Sequence, residues 1–145
     1  MAISDVKIKI ESYIENLDDS GLSDGDAEKS VTEHIGRYKF DMVGARLRYS
    51  EKDESGAETH SDISVKGDTV SVKRSGGVES LMEFCEGEEH LSVYSIPPYR
   101  FDAKIETKRV RLDIGEAGGK IELIYLMTIG GAQKKARMKI WISQP

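Results

Sequence analysis

The sequence predicts an all-β protein, an antiparallel up-and-down barrel of about eight to ten strands, and three observations predict it. Apolar and charged residues alternate with a period of two along most of the chain, as in strands that bury one face and solvate the other. The alternating runs are short and are separated by Gly- and Asp-rich clusters. No run combines helical apolar spacing with helical length. A barrel is expected over an open meander because closure removes the edge strands that an open sheet of this size would expose.

The composition sets the outer bounds. A chain of 145 residues fits one domain, here 1–145, and can bury roughly two-thirds of its unfolded surface without staples. The 21 Lys and Arg against 26 Asp and Glu give a formal net charge of -5, which repels a phosphate backbone or an anionic lipid unless a local basic patch intervenes. The lone Cys85 has no internal disulfide partner. The N-terminal stretch alternates charged and apolar residues where a secretory signal would be continuously apolar, and no apolar run approaches the about 20 residues of a helical membrane span. The expectation is a soluble, cytoplasmic protein with no membrane association.

The clearest element is the hairpin within 63–78. Ile63 and Val65 alternate with Ser64 and Lys66, Gly67-Asp68 supplies a two-residue turn, and Val70 and Val72 alternate with Ser71 and Lys73. Upstream, Val6, Ile8, Ile10 and Ile14 share one parity and predict the first strand. The acidic, glycine-containing stretch 16–29 reads as a solvated loop with little order, the longest in the chain. A second strand is expected over 34–42, with Tyr38, Phe40 and Met42 on the apolar side. A third follows Gly44, its apolar face assigned to Val43, Ala45, Leu47 and Tyr49. The segment 79–89 fits either a strand or a helix, and strand is favoured because every neighbour is one. The run 90–96 should end at the Pro97-Pro98 pair, which lacks two backbone donors, or sit at an edge or the barrel rim. Tyr99, Phe101, Ala103 and Ile105 share one parity and Val110, Leu112 and Ile114 the other, so a bulge is expected near Thr107-Lys108. Gly118-Gly119 and Gly130-Gly131 are read as turns around a strand that is apolar on both faces at Leu123 to Met127, and Met138, Ile140 and Ile142 close the chain, with Trp141 on the opposite side.

The run Val72-Lys73-Arg74-Ser75-Gly76-Gly77-Val78, then Phe84, Gly87 and Tyr94, and later Gly119, Ile121 and Tyr125, resembles the bacterial YwiB-like proteins, a domain of unknown function. The similarity covers roughly 35–143 and is densest over 60–115. The resemblance implies a lipocalin-like, calycin-type β-barrel and no activity. The Gly-x-Trp signature of true lipocalins is missing near the N-terminus and Trp141 sits in the last strand, so no lipocalin ligand set carries over.

The parity that buries Val70 and Val72 also turns Arg74 inward, where a guanidinium must find acceptors or water. Two readings follow. Arg74 pairs with a carboxylate or carbonyls at the barrel end, or, with tyrosine hydroxyls from Tyr38, Tyr49, Tyr94 or Tyr125, it receives the carboxylate or phosphate of a small ligand. No metal site is expected: Asp24-x-Asp26-x-Glu28 echoes a calcium loop, but Lys29 stands where an EF-hand needs glycine and Ile35 where it needs glutamate, and His34, His60, His90 and Cys85 lack zinc spacing. No phosphate-cradling glycine loop, catalytic residue or cofactor motif is found, which points away from an enzyme. On the outer faces, Arg46, Arg48, Arg109 and Arg111, with Lys104, Lys108, Lys134, Lys135, Arg137 and Lys139, read as a solvated surface; the alternative is a non-enzymatic interaction module that contacts RNA or protein there, with exposed Trp141 as a stacking platform. The expected function is binding of a small anionic or amphipathic molecule inside the barrel.

Overall fold

The computed structural model describes residues 3–96 and 98–145. Ten antiparallel strands form a closed barrel in which each strand pairs with its sequence neighbours and the last returns to the first. They are β1 Ser4–Leu17, β2 Ser23–Phe40, β3 Gly44–Lys52, β4 Glu58–Lys66, β5 Thr69–Gly76, β6 Glu79–Phe84, β7 Glu89–Ile96, β8 Tyr99–Gly115, β9 Gly118–Ile129 and β10 Ala132–Ser143. No helix occurs among the described residues. The all-β barrel expected from alternation is the observed fold, and the ambiguous segment 79–89 contains strand β6. Of the expected Pro97-Pro98 break, Pro97 lies outside the described residues.

In an up-and-down barrel the connections alternate between two ends. Those at 41–43, 67–68, 85–88 and 116–117 gather at one end with the two chain termini, and those at 18–22, 53–57, 77–78 and 130–131 gather at the other. Inward residues of one parity fill the first end and the middle: Ile8, Tyr38, Leu47, Ile63, Phe84, Ile105, Ile121 and Ile140 are all buried. The register shift in β8 falls between Thr107 and Arg109, where the switch of apolar parity places a bulge.

Four local readings need correction. The stretch 16–29 is not a long loop. It carries the end of β1, a short turn and the start of β2, paired from Tyr13 with Lys29 up to Leu17 with Ser23. The charges mislead because this ribbon buries almost nothing, and its order comes from pairing with a neighbouring strand. The turn itself is built by Asp18, whose Oδ1 accepts from Ser20 N at 2.9 Å, Ser20 Oγ at 2.6 Å and Leu22 N at 3.1 Å. Asp53 builds the same turn between β3 and β4, accepting from Ser55 N at 2.9 Å and Ala57 N at 3.0 Å. These bonds hold both carboxyls below their ordinary pKa.

Met42 and Val43 are exposed rather than inward, because strand β2 stops at Phe40 and Asp41 caps a tight turn, its Oδ1 accepting from Val43 N at 2.9 Å and Gly44 N at 3.2 Å. The turn between β8 and β9 is Glu116-Ala117, and Gly118-Gly119 instead begins β9. Glycine is required at those two positions because a Cβ would strike the Ile142 carbonyl at Gly118 and the Asp113 carbonyl at Gly119. After β5 the turn falls at Gly77-Val78 rather than at Ser75-Gly76-Gly77, since Gly76 still pairs with Thr59.

Candidate functional site

One cross-strand row builds the candidate site. Tyr49 opposes Ser61, Ser61 opposes Arg74, Arg74 opposes Ser80, Ser80 opposes Tyr94, and Tyr94 opposes Phe101. Every residue of this row belongs to the inward parity of its strand, and Arg74 lies two residues before the end of β5. The row therefore crosses the end of the barrel away from the chain termini.

There the interior is not filled. A cavity of about 370 Å³ is lined on the polar side by Arg74, Tyr94 and Ser12, with Tyr125 among its walls. Its apolar walls are Ile14, Phe101 and Ile129 together with Met82, Met127 and Met138, three of the five methionines in the chain. Unbranched, polarizable methionines adapt to irregular shapes, so this is a deformable lining. A barrel of eight strands has room for little more than its own side chains; two further strands widen this one.

Arg74 Nη1 donates to the Tyr94 hydroxyl at 2.8 Å. Its Nε is buried and has no hydrogen-bond partner among the described residues. Among them Arg74 also makes no ion pair, and the row around it contains no carboxylate. The Ser80 hydroxyl, on the neighbouring strand, is buried without a described partner as well. The Ser61 hydroxyl, opposite Arg74 on the other side, is likewise buried without a described partner, so several polar groups at this point of the barrel are unsatisfied together.

Burial pushes the Tyr125 phenol up to about 12, with Tyr94 adding to the rise and Arg74 opposing it. Its ring packs against Phe84 at 4.8 Å between centroids, which fixes it as part of the cavity floor. Tyr49 is also raised, chiefly by burial, and is pulled back in part by Ser61 and Arg74. His34 stacks on its ring at 4.4 Å, so Tyr49 neighbours the cavity without lining it. Tyr38 does not belong to the group at all. Its hydroxyl donates to the Gly115 carbonyl at 2.7 Å at the opposite end of the barrel. The structure thus brings Arg74, Tyr94 and Tyr125 together, sets Tyr49 beside them and removes Tyr38. The methionine and isoleucine walls were unmarked in the sequence reading, although Ile14 and Met138 carry the inward parity on their strands.

The outer face is a charge mosaic. Arg46 grips Asp62 with Nε at 3.0 Å and Nη2 at 2.6 Å, and Arg48 reaches the same carboxylate at 3.4 Å. Lys104 pairs with Glu89, Lys108 with Glu106 and Lys139 with Glu122. A groove of about 460 Å³ crosses this surface; of the cations that line it, Arg46 is held by Asp62 and Lys39 lies 3.6 Å from Asp41. Trp141 is half-buried, not exposed, because the ammonium groups of Lys9 and Lys120 lie over its ring at 5.4 and 5.6 Å.

With the barrel and its cavity in place, comparison with known proteins adds the kinship. The family model "Domain of unknown function (DUF1934)" matches residues 14–142. The chain belongs to this family. Within the DUF1934 family it is similar to the "Uncharacterized beta-barrel protein YwiB" of Bacillus subtilis (strain 168), 26% identical over 129 residues that cover 89% of this chain and 85% of the relative. It is also similar to the crystal structure of the ywiB protein from Bacillus subtilis, with a TM-score of 0.79 and 23% identity over 96% of this chain and 92% of that one. The resemblance read from Arg74, Tyr94 and their neighbours in sequence is thus a family membership, and the structural likeness is one of fold.

Proposed function

We propose that the protein binds a small amphipathic anion in the open end of its barrel, with a carboxylate at Arg74 and Tyr94 and an apolar tail against Met82, Met127, Met138 and Ile129. The observation that carries this reading is the state of Arg74, a guanidinium facing a largely apolar cavity of about 370 Å³ with its Nε unpartnered and no ion pair among the described residues. A charge in that setting is costly until a counter-charge arrives. A carboxylate supplies it, accepting the forked donors of Arg74 in the bidentate manner that suits a planar anion. The volume falls within the ~300–1,000 Å³ range of small-molecule sites.

In this reading the protein is a cytoplasmic carrier or sensor of the calycin type rather than an enzyme. Tyr125, held protonated up to about 12, serves as a neutral donor and wall and offers no base near neutral pH. Recognition therefore rests on one ion pair and apolar contact. The test is isothermal titration calorimetry with straight-chain and aromatic monocarboxylates of increasing length. At least one should bind wild type, and Arg74→Met should weaken that binding by about tenfold or more, the share expected of a charge-assisted hydrogen-bonded pair. Equal binding by Arg74→Met, or no binding of any member by wild type, refutes the proposal.

A further inference from the structure

We propose that two copies of this chain pair edge to edge through β2. The wall of the barrel is incomplete there. β2 pairs with β1 from Ser23 to Tyr38 but with β3 only from Arg37 to Phe40. Residues 23–35 thus present a long row of backbone groups with no second neighbouring strand among the described residues, where a typical strand has only about five or six residues in all. The side chains of 23–33 are exposed, and the edge carries two apolar residues in solvent, Val31 at 49% and Ile35 at 67% exposure.

The charges along this edge select the occupant. In an antiparallel pair of identical strands about a two-fold axis, each residue faces the one equally far on the other side of the axis, and both stay on the same face of the sheet. With the axis at Val31, Lys29 of each copy faces Glu33 of the other. Val31 meets Val31, Ala27 meets Ile35, Ser30 meets Thr32, and Glu28 meets His34. Lys29 and Glu33 are thus matched in both directions and the apolar residues meet one another, while His34 across from Glu28 is already stacked on Tyr49 of its own chain. Axes at Glu28 or Lys29 set like charges directly opposite, which destabilises a sheet pair. Beyond Ile35 the other copy's 23–26 must bend away, because β3 takes over the edge at Arg37; the β1–β2 ladder shifts register in that same stretch, between Ala27 and Ser23. Lys29 lies 3.8 Å from Glu11 within its own chain and is well exposed; such a surface pair is weak and leaves it available.

The experiment is sedimentation equilibrium of the full chain over a wide concentration range, with circular dichroism to confirm the barrel in each variant. Wild type should show a reversible monomer–dimer equilibrium. Lys29→Glu alone sets carboxylate against carboxylate across the interface, and Glu33→Lys alone sets ammonium against ammonium. Each should therefore weaken dimerisation by about tenfold or more, since two favourable pairs become two unfavourable ones. An equimolar mixture of the two variants places opposite charges at both positions and should form a heterodimer at least as tight as the wild-type dimer. A wild type that stays monomeric throughout, single variants that dimerise as wild type does, or a mixture no tighter than its parts overturns the proposal. The ligand cavity plays no role in this outcome.

Discussion

The two ends of the barrel treat the same sequence pattern differently. At the end that holds the chain termini, inward residues such as Ile8, Val70 and Phe84 are fully buried, and the phenol there, Tyr38, has its hydroxyl satisfied by the Gly115 carbonyl at 2.7 Å. At the other end the inward residues leave a cavity of about 370 Å³, and the buried Nε of Arg74 has no acceptor among the described residues. Alternation therefore specifies which side of the wall a residue occupies, and packing decides whether that side is core or site. A satisfied polar group stabilises the first end, while the second keeps a buried donor without a partner among the described residues.

The largest expected break in this contrast lies along a single strand, β1. Ile8→Ala opens a void in the filled end and should cost about 2–5 kcal/mol, whereas Ile14→Ala enlarges space that already exists and should cost about 1 kcal/mol, because only the transfer of the lost atoms counts. Urea unfolding of both variants measures the gap. Equal costs would mean that the cavity end is packed like the core.

A smaller effect differs in sign. Tyr38→Phe removes a made hydrogen bond and should destabilise the protein by about 1 kcal/mol. Arg74→Met removes a charge that lacks an ionic partner, so without ligand it should be neutral or stabilising. A loss of about 3 kcal/mol from Arg74→Met would instead reveal an internal carboxylate that holds it.

The smallest effect near neutral pH comes from Tyr125. Its phenol titrates at about 12 in the fold against an ordinary value of 10.0. A raised pKa means that the folded state holds the proton more tightly than the unfolded chain, so the contribution to stability is complete below about pH 10 and is lost as the pH rises toward 12. Phenolate absorbance should show Tyr125 titrating last of the six tyrosines, with Tyr38 and Tyr49 also displaced upward by burial, and unfolding free energy should fall over the same interval. If all six titrate together near 10 in the folded protein, the cavity floor is wet.

Much of the wall was legible in single residues. Val6, Ile8 and Ile10 mark β1, Ile63 to Val72 mark the β4–β5 hairpin, the parity switch after Thr107 marks the bulge, and Arg74 is singled out by the parity of Val70 and Val72. The start of β2 was not legible, because a strand paired on one side and solvated on both faces carries no apolar alternation. A usable signal did exist: Asp18-x-Ser20-Gly21 repeats as Asp53-x-Ser55-Gly56, and both close hairpins through the same carboxylate bonds. Met42 and Val43 misled because hydrophobicity alone does not show where a strand stops; Asp41 and Gly44 carry that information.

By itself the sequence determined the strand class, the approximate number of strands and the face of most residues, since alternation is a local property of the extended backbone with a period of two. Only the tertiary structure decided which inward residues share a level of the barrel. Arg74 meets Tyr94 and Tyr125 but not Tyr38 because level depends on the register between strands. That register is the sum of turn lengths and the bulge around a closed ring of ten strands, and no single stretch of chain contains it.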